Sequence, residues 1–232
     1  MQIRGFQTTS FVDFPSQICS TVFVGGCNFR CPYCFNSDLV LHPDMLPLIR
    51  EEDVFSLLEK RISLQGAVCV SGGEPTLQKD LSFFIARAKD MGLMVKLDTN
   101  GSNPELLGNL LETGCLDYVA VDFKAPPHKY GMLTGGKADY SDIEHTISLL
   151  DNSHIEYEFR TTVVPTMLDG EDLLEIASIL EGSRLLVFQQ FKPLPTILDK
   201  SLQLKKSYSR ETIEQVVSLC RNYVQNVTMR GF

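Results

Sequence analysis

Short runs of β-branched residues alternate with longer amphipathic stretches along this chain, and that alternation limits the fold more than any other feature. Residues 18–24, 67–70, 93–97, 118–123, 155–164 and 185–189 read as six strands. Helices are expected over 51–62, 78–91, 104–112, 140–150 and 172–180, with a last one from about 210 to 221. Val54, Leu57, Leu58 and Ile62 recur at helical spacing in the first of them. Asn103 is placed to cap the third, with Pro104 at its first position, where a missing N–H costs nothing. Strands alternating with helices imply a parallel sheet joined by right-handed crossovers. Six units are too few for a closed eight-stranded barrel. The expected fold class is therefore α/β, a partial (β/α)6 barrel, with residues 1–232 as one domain. The Pro- and Gly-containing stretches 125–137 and 192–201 read as surface loops, and 36–50 as another.

A chain of 232 residues can bury a sizeable core, and 44% apolar with 22% charged residues is the composition of a soluble globular protein. No apolar run has the length of a membrane span. The opening Met1-Gln2-Ile3-Arg4-Gly5-Phe6 lacks an apolar signal segment. A cytoplasmic location is expected, with reduced cysteines that favour metal or cluster binding over disulfides. The net charge of −8 argues against a nucleic-acid partner.

Three of the seven cysteines stand in one short run, Cys27-Asn28-Phe29-Arg30-Cys31-Pro32-Tyr33-Cys34, directly after the first strand. Three thiolates on one loop can hold three corners of a [4Fe–4S] cluster, which usually takes four cysteines. One iron is then left for a small chelating molecule. The other reading is a zinc loop, but such sites close with a fourth Cys or His nearby. The first histidine afterwards is His42, before a proline in a loop-like stretch. Gly25 and Gly26 let the backbone turn tightly into the run. Cys19, Cys69, Cys115 and Cys220 are scattered and read as packing residues.

Ligands of such sheets bind at the C-terminal strand ends, where the cysteine run lies. Other polar residues gather there. Ser71-Gly72-Gly73-Glu74-Pro75 follows the second strand, and its glycines allow close backbone approach. Asp98-Thr99-Asn100-Gly101 follows the third, and Asp122-Phe123-Lys124 the fourth. Asp122 and Lys124 share a face by the period of two, so a local ion pair is the plainer reading for them. In the fifth strand Glu156, Glu158 and Arg160 alternate with Ile155, Tyr157 and Phe159. Both faces of a parallel sheet are normally covered, so a polar inner face points to a ligand cavity. Arg160 could hold a ligand carboxylate or Glu158. Gln189 and Gln190 end the sixth strand and are candidates to line the same pocket.

The cysteine run resembles the signature of the radical S-adenosylmethionine (SAM) enzymes. The opening Gly5-Phe6-Gln7-Thr8-Thr9-Ser10-Phe11-Val12-Asp13-Phe14-Pro15 and the stretch Phe23-Val24-Gly25-Gly26 into the run are similar to the glycyl-radical activating family. Within it the likeness is to the anaerobic ribonucleoside-triphosphate reductase activating proteins and their pyruvate formate-lyase activating relatives. It reappears at residues 71–75, 98–101, 122–124 and 160–165. Phe35 stands where these activases usually carry His, and Ser37 where many have Pro or Arg.

The resemblance implies a barrel of the radical SAM type and a [4Fe–4S] cluster on Cys27, Cys31 and Cys34. It implies SAM at the open iron, with Tyr33 packing on the adenine and residues 71–75 (Gly72, Gly73 and Glu74) meeting the amino group. Asp98, Asn100, Asp122, Lys124, Arg160 and Gln189 are the further cofactor-binding candidates. Asp98 and Asp122 would gather a monovalent cation, a hard ion that prefers oxygen ligands. The chemistry implied is reductive SAM cleavage, with an electron from flavodoxin or ferredoxin. The resulting radical would take a hydrogen atom from a glycine of a glycyl radical enzyme, here the anaerobic reductase. Arg30, Lys205 and Lys206 are candidates for meeting an acidic electron donor.

Two alternatives stand beside this one. A radical SAM enzyme for a small molecule, like 7-carboxy-7-deazaguanine synthase, needs a closed pocket, whereas an activase needs a mouth open to a protein loop. The short region after Gln190 leads us to expect the open mouth. A non-catalytic iron–sulfur or zinc module would not cleave SAM.

Overall fold

A computed structural model describes residues 1–232. Its centre is one eight-stranded sheet with the strands side by side in chain order. They are β1 (Ile3–Ser10), β2 (Cys19–Val24), β3 (Ala67–Gly72), β4 (Met94–Thr99), β5 (Tyr118–Asp122), β6 (Glu156–Val163), β7 (Leu186–Gln190) and β8 (Val227–Arg230). β2 to β8 are parallel, and β1 runs antiparallel beside β2. Parallel neighbours in chain order make each crossover turn the same way, so the sheet curls into a barrel. β1 and β8 are its two edges and do not pair, which leaves the barrel open.

The six expected strands correspond to β2–β7. β1 and β8 were not anticipated, for different reasons. β1 carries register shifts against β2, so its apolar alternation is broken. β8 has only four residues, and half of them are exposed.

The helices α1 (Ser37–Leu41), α2 (Glu51–Arg61), α3 (Leu81–Asp90), α4 (Pro104–Glu112), α5 (Pro127–Thr134), α6 (Tyr140–Asp151), α7 (Gly170–Ile179) and α8 (Arg210–Cys220) fill the connections. None is long and apolar enough to cross a membrane. α3 starts three residues later than expected, because Gln78 is extended after a 3-10 turn and its amide donates to the Gly25 carbonyl at 3.0 Å. Asn103 caps α4 as the sequence implies, accepting from Leu106 N at 3.2 Å.

Two loop expectations are corrected. Residues 36–50 include α1, whose Leu39 and Val40 are buried. Residues 125–137 include α5, which buries Tyr130 and Leu133. Pro127 at its first position and left-handed Gly135 after its end are helix start and stop signals, which read as loop punctuation when taken singly. Residues 192–201 form the largely exposed loop expected, with Ile197 fully buried in it and Leu198 and Asp199 bonded back to the cysteine run.

The two sheet faces differ. Val22, Val68, Val70, Val95, Leu97, Val119, Val121 and Phe159 join the main apolar core with the helices. On the inner face, small Cys19, Ala67, Cys69 and Ala120 cluster with Phe14 and Tyr118, whose rings lie 5.9 Å apart. Phe14 comes from the β1–β2 connection and plugs the N-terminal end of the barrel. Asp13 beside it accepts from Thr21 Oγ1 at 2.6 Å. Cys19, Cys69 and Cys220 are buried packing residues as expected, and Cys115 is half-buried. Towards the C-terminal strand ends the inner face becomes charged.

Candidate metal and cofactor site

The cysteine run leaves β2 at that charged end and is braced by four separate segments. Gly26 N donates to Leu39 O at 2.8 Å, and Arg30 N to Thr134 O at 2.9 Å. Leu198 N donates to Cys34 O at 3.1 Å, and Asp199 N to Pro32 O at 2.7 Å. Gly135 packs so tightly that an added Cβ would lie 2.7 Å from Arg30 O. Asn28 links the run to the β4 loop: its Nδ2 donates to Ser102 Oγ at 2.7 Å, and its Oδ1 accepts from Asn100 Nδ2 at 2.8 Å. Arg30 turns back onto its own loop, donating to the carbonyls of Cys27 and Phe29 at 2.6 and 2.7 Å.

The thiols sit in a low-dielectric pocket. Burial pushes Cys27 up to about 11 and raises Cys31 and Cys34. Iron would draw off these protons, because the thiolate is the ligand form. No three His, Cys, Asp or Glu side chains converge closely enough to hold a single metal ion. A closed zinc site needs such convergence. Three thiols on one braced loop are the donor set that a polynuclear cluster with one open iron would take.

The loop after β3 is interlocked with the cysteine run. Gly73 N donates to Val24 O and Glu74 N to Gly26 O, both at 2.8 Å. A Cβ on Gly73 would stand 1.9 Å from Gly26 O, a backbone atom held by that contact. Gly73→Ala is therefore expected to lose about 3 kcal/mol or more of stability, the upper part of the range for overpacking. A denaturant midpoint equal to wild type would show that the contact yields. Glu74 is fully buried and accepts from Thr76 N, Thr76 Oγ1, Thr99 Oγ1 and Asn100 N at 2.7–3.0 Å. Burial raises its carboxyl despite these donors. The side chain thus positions two loops.

Asp98, Asp122, Lys124 and Arg160 do meet at one place. Arg160 Nε donates to Asp122 Oδ1 at 2.9 Å and its Nη1 to Asp98 Oδ2 at 3.3 Å. Lys124 Nζ holds Asp122 Oδ2 at 3.1 Å. Glu158, one of the two partners considered for Arg160, pairs instead with Arg230 at 3.0 and 3.2 Å and with Tyr118 Oη at 3.2 Å. Burial is the largest single influence and would raise both aspartates, but Arg160 acting together with Lys96 at Asp98, and with Lys124 at Asp122, outweighs it. Asp98 is lowered, and Asp122 falls to about 2. Both carboxyls titrate lower folded than unfolded, where Asp lies near 3.9. Their stabilisation is present above about pH 4 and is lost as pH falls toward about 2. In urea titrations of the cluster-free protein, wild type is expected to lose stability more steeply in that window than Asp122→Asn. Parallel curves would remove Asp122 from the account.

Tyr33 is buried beside the run, and its hydroxyl has no hydrogen-bond partner in the chain. Gln189 is half-buried near the end of β7, while Gln190 Nε2 donates to Tyr208 O at 3.1 Å. Sequence reasoning missed Lys96, which is 1% exposed and bonded to Asp98. The period of two that joined Asp122 to Lys124 would also have joined Lys96 to Asp98.

Comparison with known proteins adds four likenesses. The family model described as the Radical SAM superfamily matches residues 21–181. A Methanocaldococcus jannaschii protein that carries the name of a glycyl-radical enzyme activating enzyme is 33% identical over 233 aligned positions, covering 98% of this chain and 95% of its own length. The pyruvate formate-lyase-activating enzyme of Clostridium pasteurianum is 28% identical, with 92% and 90% covered. Among solved structures, Streptococcus suis SuiB superposes with a TM-score of 0.65 over 90% of this chain and 47% of its own, at 13% identity, a likeness of fold.

Proposed function

The chain belongs to the radical SAM superfamily, and from that premise we propose that it is a glycyl-radical-enzyme activase whose partner is the anaerobic ribonucleoside-triphosphate reductase. The observation that carries the reading is the near full-length likeness to the M. jannaschii protein named for that activity. Cys27, Cys31 and Cys34 are the cluster ligands in this reading. The chemistry that a bound cluster would supply is one-electron reductive cleavage of SAM, in the service of hydrogen-atom abstraction from a glycine of the partner enzyme. The protein's own residues bind, orient and exclude water, and no general base is needed for hydrogen-atom transfer. Lys124 and Arg160 offer the cationic hydrogen bonds that a carboxylate group prefers. Tyr33 supplies an aromatic face for the adenine and Gln189 a polar edge of the pocket. Asn100 keeps the β4 loop against the run.

The unpaired edges of the barrel support entry of a protein loop. The electron donor in this reading is a flavodoxin or ferredoxin of the cytoplasm, met in part by exposed Lys205 and Lys206. The test is anaerobic reconstitution with iron and sulfide, followed by dithionite and SAM. 5′-Deoxyadenosine is expected, and addition of the anaerobic reductase should produce the glycyl-radical EPR doublet. No 5′-deoxyadenosine would overturn the enzymatic reading, and no doublet would overturn the choice of partner.

A further inference from the structure

The inner face of the barrel buries a lysine that the proposed activity has not used. Lys96 stands in β4 between Val95 and Leu97, which face the helices, and its own side chain is 2% exposed. Burying an ammonium costs several kcal/mol unless it is well paired. Its ammonium is hydrogen-bonded to Asp98 Oδ1 and lies 3.9 Å from Cys69 Sγ and 5.8 Å from the Tyr118 ring centre.

The rest of the site completes a charge balance. Asp98 Oδ2 accepts from Arg160 Nη1 at 3.3 Å and Ser71 Oγ at 3.1 Å. Asp122 Oδ1 accepts from Arg160 Nε and its Oδ2 from Lys124 Nζ. All four oxygens of the two aspartates thus have a cationic donor. The next charges along the face, Glu158 and Arg230, are paired with each other and add no net charge. Three cations around two carboxylates leave a positive surplus. A monovalent metal ion seeks oxygen ligands in a negative field. Here it would meet oxygens already engaged and an unfavourable charge within a few ångströms.

We propose that Lys96 is the built-in cation of this site, standing in for the monovalent metal ion that paired aspartates would otherwise gather, so that the site takes a carboxylate-bearing ligand without a metal ion. The inference rests on the SAM reading only for the identity of that ligand.

Thallium(I), a potassium substitute, titrated into the cluster-loaded enzyme and followed by thallium NMR, tests the ion site without SAM. Wild type is expected to show no saturable broadening, and Lys96→Met is expected to gain it. Saturable broadening in wild type that Asp98→Asn abolishes would overturn the proposal even if Lys96→Met does not fold. Calorimetric SAM affinity at matched ionic strength gives the second arm. Wild type should change less than about twofold between choline, sodium and potassium, and Lys96→Met should become cation-dependent by about tenfold, a usual size for coupling between two ligands. Lys96→Arg should keep the wild-type indifference. A wild-type affinity that potassium raises tenfold would also overturn the proposal. Absence of SAM binding in every salt would count against the SAM reading instead, and the thallium arm would still decide the ion.

Discussion

Cys31→Ala is expected to abolish stable cluster loading and with it SAM cleavage. Losing an outer hydrogen-bonding group at a metal site costs 10–100-fold, so losing a ligand should lower 5′-deoxyadenosine formation by more than about 100-fold. Iron and sulfide analysis after anaerobic reconstitution checks the first step and product chromatography the second. Cys220→Ala is the control. That thiol is buried against Leu173 on α7 and α8, remote in the fold from the cysteine run, and its loss should leave iron content unchanged. A Cys31→Ala protein with full iron content and product would break the assignment of the run. Cys31 is also 8% exposed and part of the main core, so a thermal melt of the cluster-free variant separates loss of ligation from loss of fold.

Arg160→Leu should produce the largest loss of stability among the charged positions. The guanidinium is 11% exposed and joins Asp98 to Asp122. Removing one partner from a buried ionic network leaves carboxylates short of charge, at a cost of about 3 kcal/mol. For a chain of this size that corresponds to a melting temperature roughly 6–12 °C lower. Arg160→Lys restores the charge without the planar fork, so it should recover only part of the loss. A melting temperature within one degree or so of wild type for Arg160→Leu would show that Lys96 and Lys124 alone satisfy the aspartates.

The parts of the fold legible in the sequence were those written by local rules. β2–β7 are short and apolar, and α4 announces itself with Asn103 and Pro104. The site was legible where chemistry needs particular residue types, as with three thiols at close spacing and acidic residues at the ends of β4 and β5. What escaped depended on tertiary context. β1 is irregular and half-exposed, so only its pairing with β2 makes it a strand. α5 looks like a loop until Tyr130 and Leu133 find the core. Glu74 reads as a ligand group in sequence, yet its oxygens accept from Thr76, Thr99 and Asn100. Lys96 was passed over because a lysine among valines and leucines gives no sign of a partner two residues along.

The braces on the cysteine run come from late in the chain. Leu198 and Asp199 clasp Cys34 and Pro32, and Thr134 holds Arg30. A nascent polypeptide that has just emerged with its three thiols lacks all of these clasps. Metal delivery to this protein is therefore expected only once the chain as far as Asp199 has folded back over the pocket it helps to shape.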